Sequence, residues 1–213
     1  MATLKNHNRP SQGRTRGRQT TFLREEALEI ALDLFWRHGY EGVSISALTQ
    51  AIGIAAPSLY HAFGSKEELY KEAIGLYQGV GLSAAQIAAC SSSFEATRRV
   101  LEFGVSAVTG SKRPLGCMVS SGLLMSSPQH TEVAAHIRKE RAKLRAALQK
   151  SMEKDIRCGE LDVSANAATL ARFYTTILQG MSVQAIDGAT RAELTAVMET
   201  ALLSWPRRNK QSD

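Results

Sequence analysis

Residues Ala31–Tyr70 read ALDLFWRHGYEGVSISALTQAIGIAAPSLYHAFGSKEELY, a run punctuated by glycines at 39, 53 and 64. Ala27, Ile30, Ala31, Leu34 and Phe35 fall at i, i+3, i+4, i+7 and i+8, the single apolar stripe of a helix from about Phe22 to His38. Gly39 suits the position just past its end. Ser44 can cap a second helix reaching Ile52, with Ile45, Leu48 and Ile52 as its apolar face. Gly53 breaks that helix, and residues 55–63 form a third, in which Pro57 is tolerated in the first turn. Ser65-Lys66-Glu67-Glu68 has the form of a capping box, with Ser65 as cap and Glu68 reaching back. A long helix starts there, with Leu69, Ala73, Leu76 and Tyr77 inside. Gly75, Gly79 and Gly81 weaken its far end, which predicts a bend or a domain boundary.

Three helices with a short turn between the second and third, followed by a long one, make a helix-turn-helix arrangement. Ile45, Leu48, Ile52, Leu59 and Phe63 can form a small core with Leu34 and Phe35. That core would hold the third helix rigid enough to enter a major groove about 12 Å wide. Ser58, Tyr60 and His61 are left on the outer face, with Lys66 just beyond.

These residues resemble the DNA-binding domain of the TetR family of regulators. The matching pieces are LF-x-x-x-GY-x-x-x-S from Leu34, I-G-I at 52–54, S-L-Y-H at 58–61 and F-G-S-K-E-E-L from Phe63. The resemblance implies an all-α fold, with a three-helix head and a helical body for ligand binding and dimerisation. It implies that Ser44 and Ser46 lie near the DNA backbone, that Ala56, Pro57 and Ser58 face base edges, and that Tyr60, His61 and Lys66 hold phosphates. A phenol, an imidazole and an ammonium are suitable phosphate donors, and phosphate contacts set register while base contacts set sequence. The bland alternatives are a surface His61 without a role and a Tyr60 packed on its own domain. One departure stands out: Ala55 replaces the usual capping Ser or Thr, and Ala56 sits where a polar base reader is common. Base discrimination would then lean on thymine methyls, Ser58, an arginine arm and DNA shape.

Composition agrees with such a protein. The 213 residues carry a net charge of +6, which favours polyanionic partners. Met1 to Arg24 contains no acid but holds Lys5, Arg9, Arg14, Arg16, Arg18 and Arg24. The stretch reads either as a basic arm touching phosphates or a minor groove, or as a solubilising tail. No apolar run approaches the roughly 20 residues of a membrane span, and no secretory signal is apparent, so the expected location is the cytoplasm. Cys90, Cys117 and Cys158 form no CxxC pair, so reduced thiols and no structural metal are expected. No cofactor is implied.

From residue 82 the texture becomes Ala- and Ser-rich, with helices expected at 93–109, 115–126, 129–157, 164–187 and 190–205. The chain divides into a disordered basic arm (1–19), the head (20–66), a regulatory and dimerising body (67–206) and a basic tail (207–213). Leu170, Phe173, Ile177 and Met181 form one stripe, and Leu194, Val197, Ala201 and Trp205 another. Both could be plain core; the resemblance implies that they pair with a second copy, Gly180 permitting close approach. A dimer would set two recognition helices about 34–36 Å apart. Phe103, Met118, Ser121, Met125, Phe173 and Thr176 are candidates to line a ligand pocket, mixing apolar bulk with small polar groups, though an ordinary core has the same composition.

Cys117, after Gly116 at a helix start, reads either as a redox- or electrophile-sensing thiol or as an inert one. His130 and His136, six apart, share no helical face, which weighs against a metal site with Cys117 or Cys158. GxGxxG, P-loop, HExxH and GxSxG motifs are absent, and Ser151–Lys154 matches SxxK without its companion motifs. No catalytic residue is therefore expected. The functional expectation is a DNA-binding regulator, a repressor released from a palindromic operator by a small-molecule effector. The rivals are a DNA-binding protein that needs no ligand, and regulation through Cys117.

Overall fold

The computed structural model describes residues 16–78, 81–110, 113–122 and 127–206, with side chains from Arg24 onward. Among them are ten α-helices, one 3₁₀ turn and no strand. The first helix, α1 (Arg16–Gly42), begins before the expected Phe22 and is interrupted at Gly39 (φ 71°, ψ 169°), a conformation that a side chain would strain. The chain re-enters the core there, burying Tyr40 and Val43.

Helix α2 (Ile45–Ile52) is capped by Ser44, whose hydroxyl accepts the Ala47 N–H at 3.0 Å. Gly53, left-handed at φ 77°, turns the chain into α3 (Ala56–Phe63), which has no side-chain cap because Ala55 offers none. Ser65 accepts the Glu68 N–H at 3.1 Å and starts α4 (Lys66–Gln78). The reciprocal half of the expected capping box is missing: the Glu68 carboxylate pairs with Lys71 at 2.7 Å instead. Leu69, Ala73 and Ile74 are buried along α4, while Leu76, expected inside, is exposed.

Two apolar cores result. The head core gathers Ala27, Ala31 and Phe35 of α1, Leu48 of α2, Leu59 and Phe63 of α3, and Leu69, Tyr70, Ala73 and Ile74 of α4. Three body residues, Met118, Val133 and Ile137, complete it, so head and body share packing. Leu48 and Leu59 are fully buried, and truncating either to Ala would cost about 2–5 kcal/mol.

The body begins with α5 (Ala84–Ala88), too short to show periodicity in sequence but fixed by a complete capping box of Ser83 and Gln86. Then come α6 (Ser93–Val108), α7 (Met118–Ser121), α8 (Thr131–Arg157), α9 (Ala167–Ile186) and α10 (Arg191–Leu203). Helix α9 packs on α6, α8 and α10 and is the body's centre. The helix expected over 115–126 is far shorter among the described residues. Gly116 at φ +79° lies so close to α9 that an added Cβ would fall 2.7 Å from Ile186, which holds the segment out of a helix. Helix α9 starts at Ala167 rather than 164 because Asp162 accepts the Ser164 N–H in a tight turn and Asn166 then caps.

Candidate nucleic-acid interface and internal cavity

Helix α3 has two unlike sides. Leu59 and Phe63 are buried against α1, α2 and α4, while Pro57, Ser58, Tyr60 and His61 face solvent and Ala56 is half-buried. Tyr60 is 47% exposed, so its phenol does not pack into the domain. Ser44 and Ser46 are exposed beside α3 at the start of α2. The Ser44 hydroxyl accepts the capping N–H, which leaves its proton available to donate outward.

Two cations near α3 are more constrained than the sequence suggested. Arg24, counted with the basic arm, is no free arm residue. Its guanidinium takes both oxygens of Glu72, at 2.7 and 2.8 Å, donates to the Ala62 carbonyl at 3.3 Å and lies 4.6 Å from the Phe63 ring centre. It ties α1 to α3 and α4. Lys66 opens α4 with its ammonium 4.3 Å from the Tyr40 ring centre. Burial holds that ammonium below the usual lysine range, against the pull of Glu41. The arm residues 1–15 lie outside the described residues.

A cavity of about 730 Å³ opens in the body. Its walls come from head and body together: Trp36 of α1, Tyr77 and Gln78 of α4, Phe103 of α6, Leu144 of α8 and Leu178 of α9. Trp36 and Tyr77 meet edge to face at 4.7 Å. Arg113, Glu140, Arg141 and Lys143 supply the charged lining, and Cys117, Ser120, Thr175 and Gln179 are among the neutral polar groups.

The pocket candidates separate in the structure. Phe103 lines the cavity. Met118 does not, because it is 3% exposed and seals the head core. Ser121 turns inward to donate to the Cys117 carbonyl at 2.8 Å. Phe173 and Thr176 sit on the outer face of α9. Met125 lies outside the described residues. Sequence reasoning missed Trp36, Tyr77, Arg113 and Arg141; Arg141 was hidden in the charged run 138–145, where every cation looks solvated.

Cys117 is half-buried in the cavity wall. Its N–H donates to the buried Ser182 hydroxyl at 2.7 Å, and its sulfur accepts the Ser120 N–H at 3.4 Å. Burial, and then the neighbouring Cys117 thiol, push the Tyr77 hydroxyl far above the ordinary tyrosine range. His130 packs edge-on against Tyr40 at 4.9 Å, whereas His136 lies 3.8 Å from Glu140. The two histidines do not converge, and no group of residues among those described could hold a metal ion. Nor is any described helix long and apolar enough to cross a membrane.

Helices α9 and α10 also present an uncovered face. Phe173, Thr176, Gly180 and Val183 are exposed on α9, and Ala196, Val197 and Thr200 on α10. All are uncharged. Met181, Leu194 and Ala201, read as part of the same stripes, point instead into the body core, with Leu170, Ile177 and Trp205 packed against it.

Comparison with known proteins gives this arrangement its context. The model of the bacterial regulatory proteins of the tetR family matches residues 27–73. The chain is 31% identical over 196 residues to the HTH-type transcriptional repressor ComR of Escherichia coli K12, covering 91% of this chain and 93% of that protein. It is 28% identical over 203 residues to the repressor BdcR of the same strain, covering 89% and 92%. Among solved structures it is similar to a cysteine mutant of the TetR family regulator CifR complexed with 26-bp operator DNA. The TM-score is 0.80 at 38% identity, over 92% of this chain and all of that one.

Proposed function

This chain is a member of the TetR family of bacterial regulatory proteins, and from that premise we propose how its own residues perform the regulation. It is a DNA-binding transcriptional regulator that represses from a near-palindromic operator as a homodimer, in the cytoplasm. The observation that carries this reading is the two-sided α3: two buried residues fix it on the head, and four consecutive or near-consecutive residues are left free to enter a groove. Ala56, Pro57 and Ser58 face base edges, offering methyl and methylene contacts to thymine and one hydroxyl. Ser44, Ser46, Tyr60, His61 and Lys66 hold phosphates and set register. The dimer forms through the exposed face of α9 and α10 that carries Phe173, Val183 and Val197, with Gly180 admitting the partner helix closely.

The cavity receives a small-molecule effector. Trp36 and Tyr77 belong to the two long head helices, so a ligand against them acts directly on the elements that aim α3. A full reversal of occupancy from 1:99 to 99:1 needs about 5.5 kcal/mol of differential affinity, within reach of a ligand that fills this volume. The position of Cys117 in the same wall favours a second reading, in which an electrophile modifies that thiol; Cys117→Ser would abolish such a response and spare a reversible one.

A DNase footprint on the DNA flanking the protein's own gene tests the proposal. Symmetric protection of two half-sites, weakened by Ser58→Ala, is the expected result. Protection of every duplex alike would contradict it.

A further inference from the structure

We propose that the cavity ligand is an apolar molecule bearing a single carboxylate, and that Arg141 is the group that selects it. This rests on the reading of the cavity as an effector site. Arg141 lies on α8 in the cavity wall, partly buried, and one guanidinium nitrogen donates to the carbonyls of Val119 and Gly122 at 2.9 and 3.0 Å. Those two bonds use part of a five-donor fork. Among the described residues no carboxylate pairs with it, and the internal residues outside the description, 79–80, 111–112 and 123–126, contain no acid.

The other charges of the lining do not compensate. Glu140 is already committed: its carboxylate is 2.7 Å from the Lys143 ammonium and within 3.8 Å of His136. Burial alone would raise the Glu140 carboxyl, yet Lys143, Gln78 and His136 together outweigh it and hold it below the usual range. Arg113 adds a second cation at the rim, 5.9 Å from the Trp36 ring centre. The lining therefore carries two cations, Arg113 and Arg141, beyond the balanced Glu140–Lys143 pair.

A cation taken partly out of water without a counter-ion is costly, and burial followed by the like charge of Arg138 holds Arg141 below its ordinary range. A carboxylate entering beside it recovers that cost through a charge-assisted, geometrically matched bond. Trp36, Tyr77, Phe103, Leu144 and Leu178 meanwhile offer the apolar body a largely hydrocarbon wall. A cationic ligand would meet repulsion from both arginines, and a neutral one would leave Arg141 unpaired.

Calorimetric titration of the full-length protein with decanoate and 4-phenylbutyrate, against their neutral amides, is the test. The acids should bind about tenfold more tightly than the amides, and Arg141→Gln should remove most of that difference, chiefly by weakening acid binding, with Arg113 retaining the remainder. Because Arg141 also ties down two carbonyls, the melting profile of the variant is checked first. If it does not fold, Arg113→Gln takes its place and should reduce the acid preference in part. Equal affinity for acid and amide in the wild-type protein, or binding of neither, overturns the assignment. Acid binding that leaves operator affinity unchanged keeps the ligand class and overturns the effector reading instead.

Discussion

Arg24 holds Glu72 by both carboxylate oxygens, at 2.7 and 2.8 Å, across the back of α3. The same guanidinium bonds the Ala62 carbonyl and covers Phe63, so one side chain of α1 fixes both ends of the relation between the recognition helix and α4. The pair is about 40% exposed on each side, which keeps its contribution to stability small. Arg24→Ala should therefore cost only about 1 kcal/mol in urea unfolding, yet weaken operator binding by loosening α3. Unfolding and binding measured on the same variant separate the two effects; unchanged operator affinity would show that the clamp does not position α3.

The proposed interface gives Tyr60 and Lys66 phosphates rather than bases to hold. Replacing either with Ala should weaken binding to operator and unrelated duplex alike, and reduce the salt slope by about 1. Titration across a salt series checks this, and a loss confined to the operator would move the residue to base reading.

Asp155 accepts the N–H and the hydroxyl of buried Ser93, at 2.6 and 2.7 Å, and so joins α8 to the start of α6. Asp155→Ala strands both donors away from water. A loss of about 2–3 kcal/mol in chemical unfolding is expected, with Asp155→Asn less severe.

Glu140 gives the protein an acid sensitivity of definite sign. Burial pushes its folded carboxyl up, but Lys143, Gln78 and His136 together outweigh that and hold it lower than in the unfolded chain. The stabilisation is therefore present above the ordinary glutamate range, near about 4.3, and is lost as pH falls through the lower folded value. Melting temperature followed over acidic pH should drop less steeply in Glu140→Gln than in the wild-type protein.

The proposed dimer face makes the simplest target. Val197→Glu sets a second carboxylate one turn from Glu193 in place of an exposed apolar side chain and should give a folded monomer by sedimentation, with operator affinity lost. A variant that stays dimeric would place the interface elsewhere.

The head was legible in the sequence because its signals are local. Glycines end the helices, Ser44 caps, and the spacing of Leu48, Leu59 and Phe63 shows what turns inward. The capping box was legible only by half, since Glu68 had Lys71 as a closer partner. The cavity was not legible, because its walls come from helices far apart in the chain, with Trp36 and Arg141 more than a hundred residues apart. Periodicity says which residues turn inward; it does not distinguish a filled core from an open one. Met118 shows the difficulty: its composition made it a pocket candidate, but it is buried in the head core instead.

The central claim, sequence-specific DNA binding by a dimer through α3, is tested most directly by fluorescence anisotropy. The full-length protein is titrated against the footprinted operator and a scrambled duplex at one physiological salt concentration. Two chains per operator and an affinity ratio of about a thousandfold or more are predicted. Equal affinities for the two duplexes, or saturation by one chain, would contradict it.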